Sequence, residues 1–370
     1  MEPAFWLNKA QKLFGEENEL PRKVIDDINK FIENKDIDNL AQYVANLERS
    51  TWLEKLVTLR TAGLLTGIPK TDLKNITSNV VLKALDDIAD TTFVRGLDSL
   101  YSLLSKTRTT DIKFSDLLKS WGQFSTGARE GLDFLKTGIS TGKFADKKIP
   151  YKQAFNKFSE NPVEKTLAKY TDIVFRRLEA EDRPFKAMGY AKSLIDQANI
   201  AGKNARLKGK ELDEFVDKMI KNPTKEMDAK AKEFARYITL QSDNIINNVW
   251  KTLYNKSLGF SSAAKTKTYP NKIVKKVAEE VASIPTLLLN LISPFNRVAS
   301  NLILRPIEYS PAGFIKGLWS AASGNQAAAV KATGRALLGT LIMGGIYELY
   351  KGGKVKFETP ELDESKKETQ

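Results

Sequence analysis

Helical periodicity runs through almost the whole chain and leaves little room for other secondary structure. In Val163–Leu178 the apolar residues Val163, Leu167, Tyr170, Val174 and Leu178 recur every three or four positions, which lines them along one face of a helix. Leu212, Phe215, Val216, Met219 and Ile220 form a second such stripe. Start signals agree with this reading. Asn161-Pro162-Val163-Glu164 places a capping amide before a proline whose missing N–H costs nothing in a first turn, with an acid soon after. Asn222-Pro223 and Ser310-Pro311 repeat the cap-then-proline device. Period-two alternation is scarce, its clearest instance being the short Lys354–Phe357 stretch after Gly352-Gly353, and no repeat of solenoid length emerges. The pattern predicts an all-α chain, an elongated or multi-part helical assembly with Pro- and Gly-punctuated apolar helices toward the C-terminus.

Composition shifts divide it further. Residues 1–145 read as an N-terminal helical region ending in the Gly/Thr/Lys-rich ISTGKFADKKIP, 150–257 as a central helical region, and 258–357 as a basic, apolar C-terminal helical region; 358–370 reads as an acidic flexible tail. Gly138–Pro150 and Gly259–Pro270 have linker composition. With 42% hydrophobic residues the chain can bury a substantial core, so disorder is not its expected state.

The formal net charge of +13 is unevenly placed. Residues 1–250 carry 41 basic against 36 acidic side chains, whereas 251–370 carry 17 against 9. Lys251–Lys276 holds seven lysines and no acid, and it leads into Val281–Asn296 (VASIPTLLLNLISPFN), sixteen residues without a charge. The lysine run, with Lys265, Lys267, Lys272, Lys275 and Lys276 as candidate anionic-surface contacts, suits lipid headgroups, nucleic-acid phosphates or plain solvation. Sparse aromatics (Tyr254, Phe260, Tyr269) and the lack of any groove-reading signature make DNA contact, if any, sequence-independent.

Pro285 and Pro294 would break a continuous helix in the first uncharged run, which reads equally as a buried hairpin or a membrane-seeking one. In the second, Ala336–Tyr347, the small residues Ala336, Thr340 and Gly344 recur every four positions, with Gly339 and Gly345 beside them, so another helix can approach closely. Neither run reaches the about 20 apolar residues a simple spanning helix needs. The opening MEPAFWLNKAQKLFGEENE lacks the parts of a secretory signal, so export by that route is not expected.

Chemistry is constrained by what is missing. Without cysteine there are no disulfides or thiolate metal sites, and without histidine the commonest general base and metal ligand is gone. No nucleophile or phosphate-cradling motif is present, and no cofactor, metal or small-molecule substrate is expected. The acid pairs Asp86-Asp87, Glu181-Asp182 and Glu279-Glu280 remain. Neighbouring helical residues point about 100° apart, so these read as solvated helix surface or as charges complementing helix N-termini rather than face-to-face dyads. A protein that is not an enzyme is expected.

Five blocks, in order, resemble segments of the large polyvalent and internal virion proteins of tailed bacteriophages. They are Leu64–Asn79, Arg177–Leu194 around Asp182-Arg183-Pro184-Phe185, Asp228–Asp243, Ser293-Pro294-Phe295 with Asn301, and Glu308-Tyr309-Ser310-Pro311. Val298-Ala299 departs from the Thr-Pro often found before the family's Asn. The resemblance implies a structural virion component of the internal or ejection type that assists DNA delivery across a host envelope. Its partners would be other virion proteins or itself, with an anionic membrane or non-specific DNA as further contacts. It would be found in the virion, at the host membrane during infection, and otherwise in the host cytoplasm. A membrane-permeabilising, toxin-like helical protein and a non-specific DNA-handling protein of a mobile element are the alternatives.

Overall fold

The computed structural model describes residues 3–14, 19–45, 52–65, 70–140, 161–244 and 296–355, with a few short pieces between them. It is an elongated, almost entirely α-helical assembly of many helices, and no sheet occurs among the described residues. Lys354 and Val355 form a bend rather than a strand. Lys356 and Phe357, the lysines at 265, 267, 272, 275 and 276, nearly all of Val281–Asn296, most of both linkers and the acidic tail lie outside the described residues.

Helices α1 (Pro3–Phe14), α2 (Arg22–Glu33) and α3 (Ile37–Ala45) close on a core of their own, built from Trp6, Val24, Ile28, Phe31, Leu40, Tyr43 and Val44. After α4 (Trp52–Leu65) and α5 (Lys70–Ile88) comes a π-helical turn, π1 (Ala89–Val94), continued by α6 (Arg95–Ser105). Helices α7 (Phe114–Gly122) and α8 (Phe124–Thr137) follow, and α8 ends on Gly138 in the left-handed conformation (φ +70°) that a side chain would strain.

The 43-residue α9 (Pro162–Asn204) is the axis on which α4, α5, α7, α8, α10 (Gly209–Lys221) and α11 (Lys225–Ile238) pack. Its start is as the sequence indicates: Asn161 Oδ1 accepts from the Val163 and Glu164 amides, with Pro162 in the first turn. Pro184 sits inside it and offers no N–H to the Ala180 carbonyl. α8 comes close there, since a Cβ at Gly131 would stand 2.6 Å from the Ala180 oxygen and one at Gly127 2.6 Å from the Pro184 Cα. The core here comprises Ala187, Tyr190, Leu194, Ala198, Leu212, Val216, Met227, Ala231 and Ala235, which includes two residues of the second predicted stripe.

The other two cap-then-proline signals shift by a residue or two. Thr224, not Asn222, caps α11, its hydroxyl accepting from the Met227 amide, because Asn222 is already the C-terminal cap of α10. Ser310-Pro311 forms the turn before α13. The C-terminal helices are α12 (Asn296–Glu308), α13 (Gly313–Ala322) and α14 (Gln326–Lys351), with α13 and α14 packed as a hairpin.

Candidate functional site

Helix α5 has its amphipathicity inverted. Asn79, Lys83, Asp86, Asp87 and Asp90 at the α5–π1 join are buried, while Ile76, Val80, Val81 and Ile88 are exposed. The buried residues recur with helical spacing, so they form one stripe, and it is polar. The expectation that Asp86-Asp87 is solvated surface is therefore wrong. These acids are buried because cations from three other helices, α9, α12 and α14, meet them.

Asp86 is the hub and is fully buried. Its carboxylate accepts from Arg305 Nη1 at 3.0 and 3.2 Å and from the Tyr309 hydroxyl at 2.6 Å, and Arg335 Nε lies 3.2 Å away. Arg305 Nη2 also donates to the Tyr237 carbonyl at 2.6 Å. The Arg305 and Arg335 guanidiniums lie 3.4 and 4.7 Å from the centre of the Tyr237 ring. The Tyr237 hydroxyl donates to Glu308 at 2.8 Å, and Glu308 is ion-paired with Lys316.

A second half lies beside it. Asp87 accepts from Trp121 Nε1 at 2.7 Å and from Lys192 at 2.8 Å, and it pairs with Lys83 across one helical turn. Lys192 also reaches Asp90 at 2.6 Å. Four carboxylates (Asp86, Asp87, Asp90, Glu308) thus meet five cations (Lys83, Lys192, Arg305, Lys316, Arg335). Asp90 lies in the first positions of the π turn, where Thr91 and Thr92 donate their hydroxyls to the carbonyls of Asp87 and Ile88.

Charge states follow from this balance. Burial alone would push Asp86 up, but Arg305, Arg335 and Lys192 outweigh it and hold the carboxyl well below the ordinary range. Lys192 is driven the opposite way by the same competition, since Asp90, Asp87 and Asp86 overcome burial and raise it. Lys83 moves down to about 8, because burial and the neighbouring Lys192 charge exceed the pull of Asp87. A lysine near neutrality is a potential nucleophile or base. Here it is fully enclosed, paired with Asp87 and set against the Trp121 ring at 5.2 Å, with no exposed surface to offer a substrate.

The second acid pair is also corrected in part. Asp182 is buried, taking hydrogen bonds from Asn79 Nδ2 at 3.3 Å and Gln241 Nε2 at 2.6 Å, while Glu181 pairs with Arg177. Burial, only partly opposed by Lys186, pushes Asp182 up to about 7. Glu279-Glu280 lies outside the described residues.

A pH dependence follows. Between the unfolded value near 4 and the folded value near 7, the native state keeps a proton that the unfolded chain has released, so raising the pH through this window favours unfolding. The loss by pH 8 is about 3–4 kcal/mol at 1.36 kcal/mol per unit. Asp182→Asn should remove it, so the melting temperature of the variant should fall less than that of the wild type between pH 5 and pH 8. Equal slopes would show that Asp182 ionises normally.

The small residues of α14 part company. Ala336 and Gly339 are buried, and a Cβ on Gly339 would stand 1.7 Å from the Tyr309 oxygen. Thr340 donates to the Ala336 carbonyl at 2.6 Å, while Gly344 and Gly345 face open space. Beyond Gly339 the apolar side chains of the helix are exposed: Leu341, Ile342, Met343, Ile346, Tyr347, Leu349 and Tyr350. Ile315, Leu318 and Trp319 of α13 and Leu302, Ile303 and Ile307 of α12 are exposed too, Trp319 to 78%.

Several segments singled out in the sequence converge on this region, among them Asn79, Asp182, Tyr237, Asn301, Glu308 and Tyr309. Lys192 lies within the Arg177–Leu194 block, whereas Lys83, Arg305 and Arg335 lie in none of the five; the clue was a polar stripe at helical spacing. Among the described residues no cluster of acids is arranged to hold a metal ion, and no helix is long and apolar enough to cross a membrane. The chain matches no protein-family model, no curated protein and no solved structure.

Proposed function

We propose that this chain is a non-enzymatic structural protein of a tailed-bacteriophage particle, of the internal-virion or ejection type, which lays its Pro- and Gly-punctuated apolar C-terminal helices on an anionic lipid surface during DNA delivery. The observation that carries the reading is the uncovered apolar surface on α12–α14. Exposed apolar side chains grouped on three successive helices mark a contact surface rather than the scattered exposure of an ordinary monomer. The aromatic residues Trp319, Tyr347 and Tyr350 suit the boundary between headgroups and hydrocarbon, and Lys351 and Lys354 lie beside the two tyrosines. The exposed part of α14 covers about three turns, enough for interfacial seating and too short to span. The ordered virion-like segments and the basic 251–276 stretch support the same reading. The non-enzymatic part is supported by the spending of the buried acids and lysines on one another.

Full-length protein should therefore co-sediment with anionic vesicles more strongly than with neutral ones, and added salt should weaken binding, since each lysine near such a surface is worth about 1 kcal/mol. Changing Lys265, Lys267, Lys272, Lys275 and Lys276 together to Gln should reduce sedimentation strongly. Equal binding by wild type and the five-fold variant would remove the electrostatic part. Salt-sensitive DNA binding without lipid binding would favour the DNA-handling alternative, and leakage of vesicle contents would favour the permeabilising one. Mass spectrometry of purified particles tests the virion assignment directly.

A further inference from the structure

We infer that α5, π1 and α6 carry a self-association surface, on which a second copy of this chain packs antiparallel about a two-fold axis near Thr92. The surface is separate from the apolar residues of α12–α14, so the inference stands apart from the lipid reading.

The three elements follow one another without a break as a helical rod, Lys70–Ser105, and from residue 76 onward its polarity is inside out. Six charged residues fall between 76 and 105: Lys83, Asp86, Asp87, Asp90 and Asp98 are buried, and Arg95 is half-buried. Every exposed residue of the stretch is uncharged, among them Ile76, Val81, Ile88, Leu100, Leu103 and Leu104, the last open to 85%. Helix α10 shows the ordinary arrangement. It buries Leu212 and Val216 and turns Glu211, Asp213, Glu214, Asp217 and Lys218 outward.

Thirty residues of rod are about 45 Å long. An outer face without charge over that length offers nothing to nucleic-acid phosphates or lipid headgroups, which are held by cations. It suits an apolar partner, and charge, size and shape point to a second copy. Two chains of net charge +13 repel where their charged surfaces meet, whereas this face lets them touch without setting like charges opposite each other. Eleven residues of the stretch are exposed and ten more uncharged ones are half-buried, which meets the about 20 residues that each partner brings to a stable interface. At Gly96 nothing lies within 4 Å of where a Cβ would stand. An antiparallel pairing centred on Thr92 sets Ile88 of each copy opposite that gap in the other, and Val80 opposite Leu104. The same patch then serves both copies, as a two-fold interface requires.

The absence of native cysteine permits a direct test. Full-length protein at micromolar concentration should sediment as a two-chain particle. Thr92→Cys should be joined to its counterpart by a short bismaleimide, since packed helix axes lie about 8–10 Å apart, whereas Lys218→Cys, exposed on α10, should not. Leu100→Glu should weaken pairing more than about tenfold by bringing two like charges into the contact. The matched change Ile173→Glu, at an exposed position of α9, should leave pairing as it is. Circular dichroism checks that each variant is folded, and if Leu100→Glu is not, the Thr92→Cys cross-link decides. A monomeric wild type would overturn the inference, as would a dimer that a folded Leu100→Glu spares or one that gives no cross-link at Thr92. Monomers whose binding to neutral phosphatidylcholine vesicles is abolished by Leu100→Glu would overturn it too, assigning the face to hydrocarbon.

Discussion

Asp86→Asn should destabilise the fold by about 3–5 kcal/mol, because it leaves the guanidiniums of Arg305 and Arg335 buried without their nearest countercharge. Asparagine occupies nearly the same volume, so the loss is electrostatic and not a cavity effect. The amide has one acceptor oxygen where the carboxylate has two, and Arg305, Tyr309 and Arg335 all compete for it. Urea unfolding followed by helical signal would measure the loss. Adding Arg335→Gln to Asp86→Asn should cost less than the sum of the single changes, since it removes one stranded charge. A loss below about 1 kcal/mol for Asp86→Asn would mean the hub is no more than a surface-strength ion pair.

Gly339→Ala and Gly344→Ala should have opposite effects although the two glycines share one helix and one small-residue pattern. At Gly339 the added methyl would overlap the Tyr309 carbonyl, so α14 must lift away from the turn after α12. Overpacking against a backbone atom that cannot rotate aside should cost about 3 kcal/mol. At Gly344 the methyl meets nothing within 4 Å. There the better helix propensity of alanine should add about 0.5–1 kcal/mol. Thermal melts of the two variants would separate the cases. Equal shifts would mean that the approach of α14 to Tyr309 is looser than the geometry indicates.

Local signals survived into the structure where the interaction they report is itself local. The Asn161-Pro162 start of α9 needs only a side-chain oxygen and two nearby amides, and it stands where the sequence places it. The predominance of helix was legible for the same reason, since periodicity at three and four residues expresses a burial pattern along one element. Reading stopped at orientation. A stripe of Asn79, Lys83, Asp86, Asp87 and Asp90 looks like the wet face of α5 unless its partners are known, and those partners lie as far as Arg305 and Arg335 along the chain. Desolvating a carboxylate is unfavourable on its own and tolerable when cations converge on it, so whether Asp86 faces in or out depends on a many-body sum. By itself the sequence determined the helical class, the main helix start, the late basic and apolar bias and the lack of histidine or cysteine chemistry, because each depends on composition or on residues within a turn of one another. The tertiary structure alone decided which face of α5 is buried, which glycine of α14 bears a close contact and where the apolar side chains of that helix become exposed, because each depends on which distant helix arrives opposite.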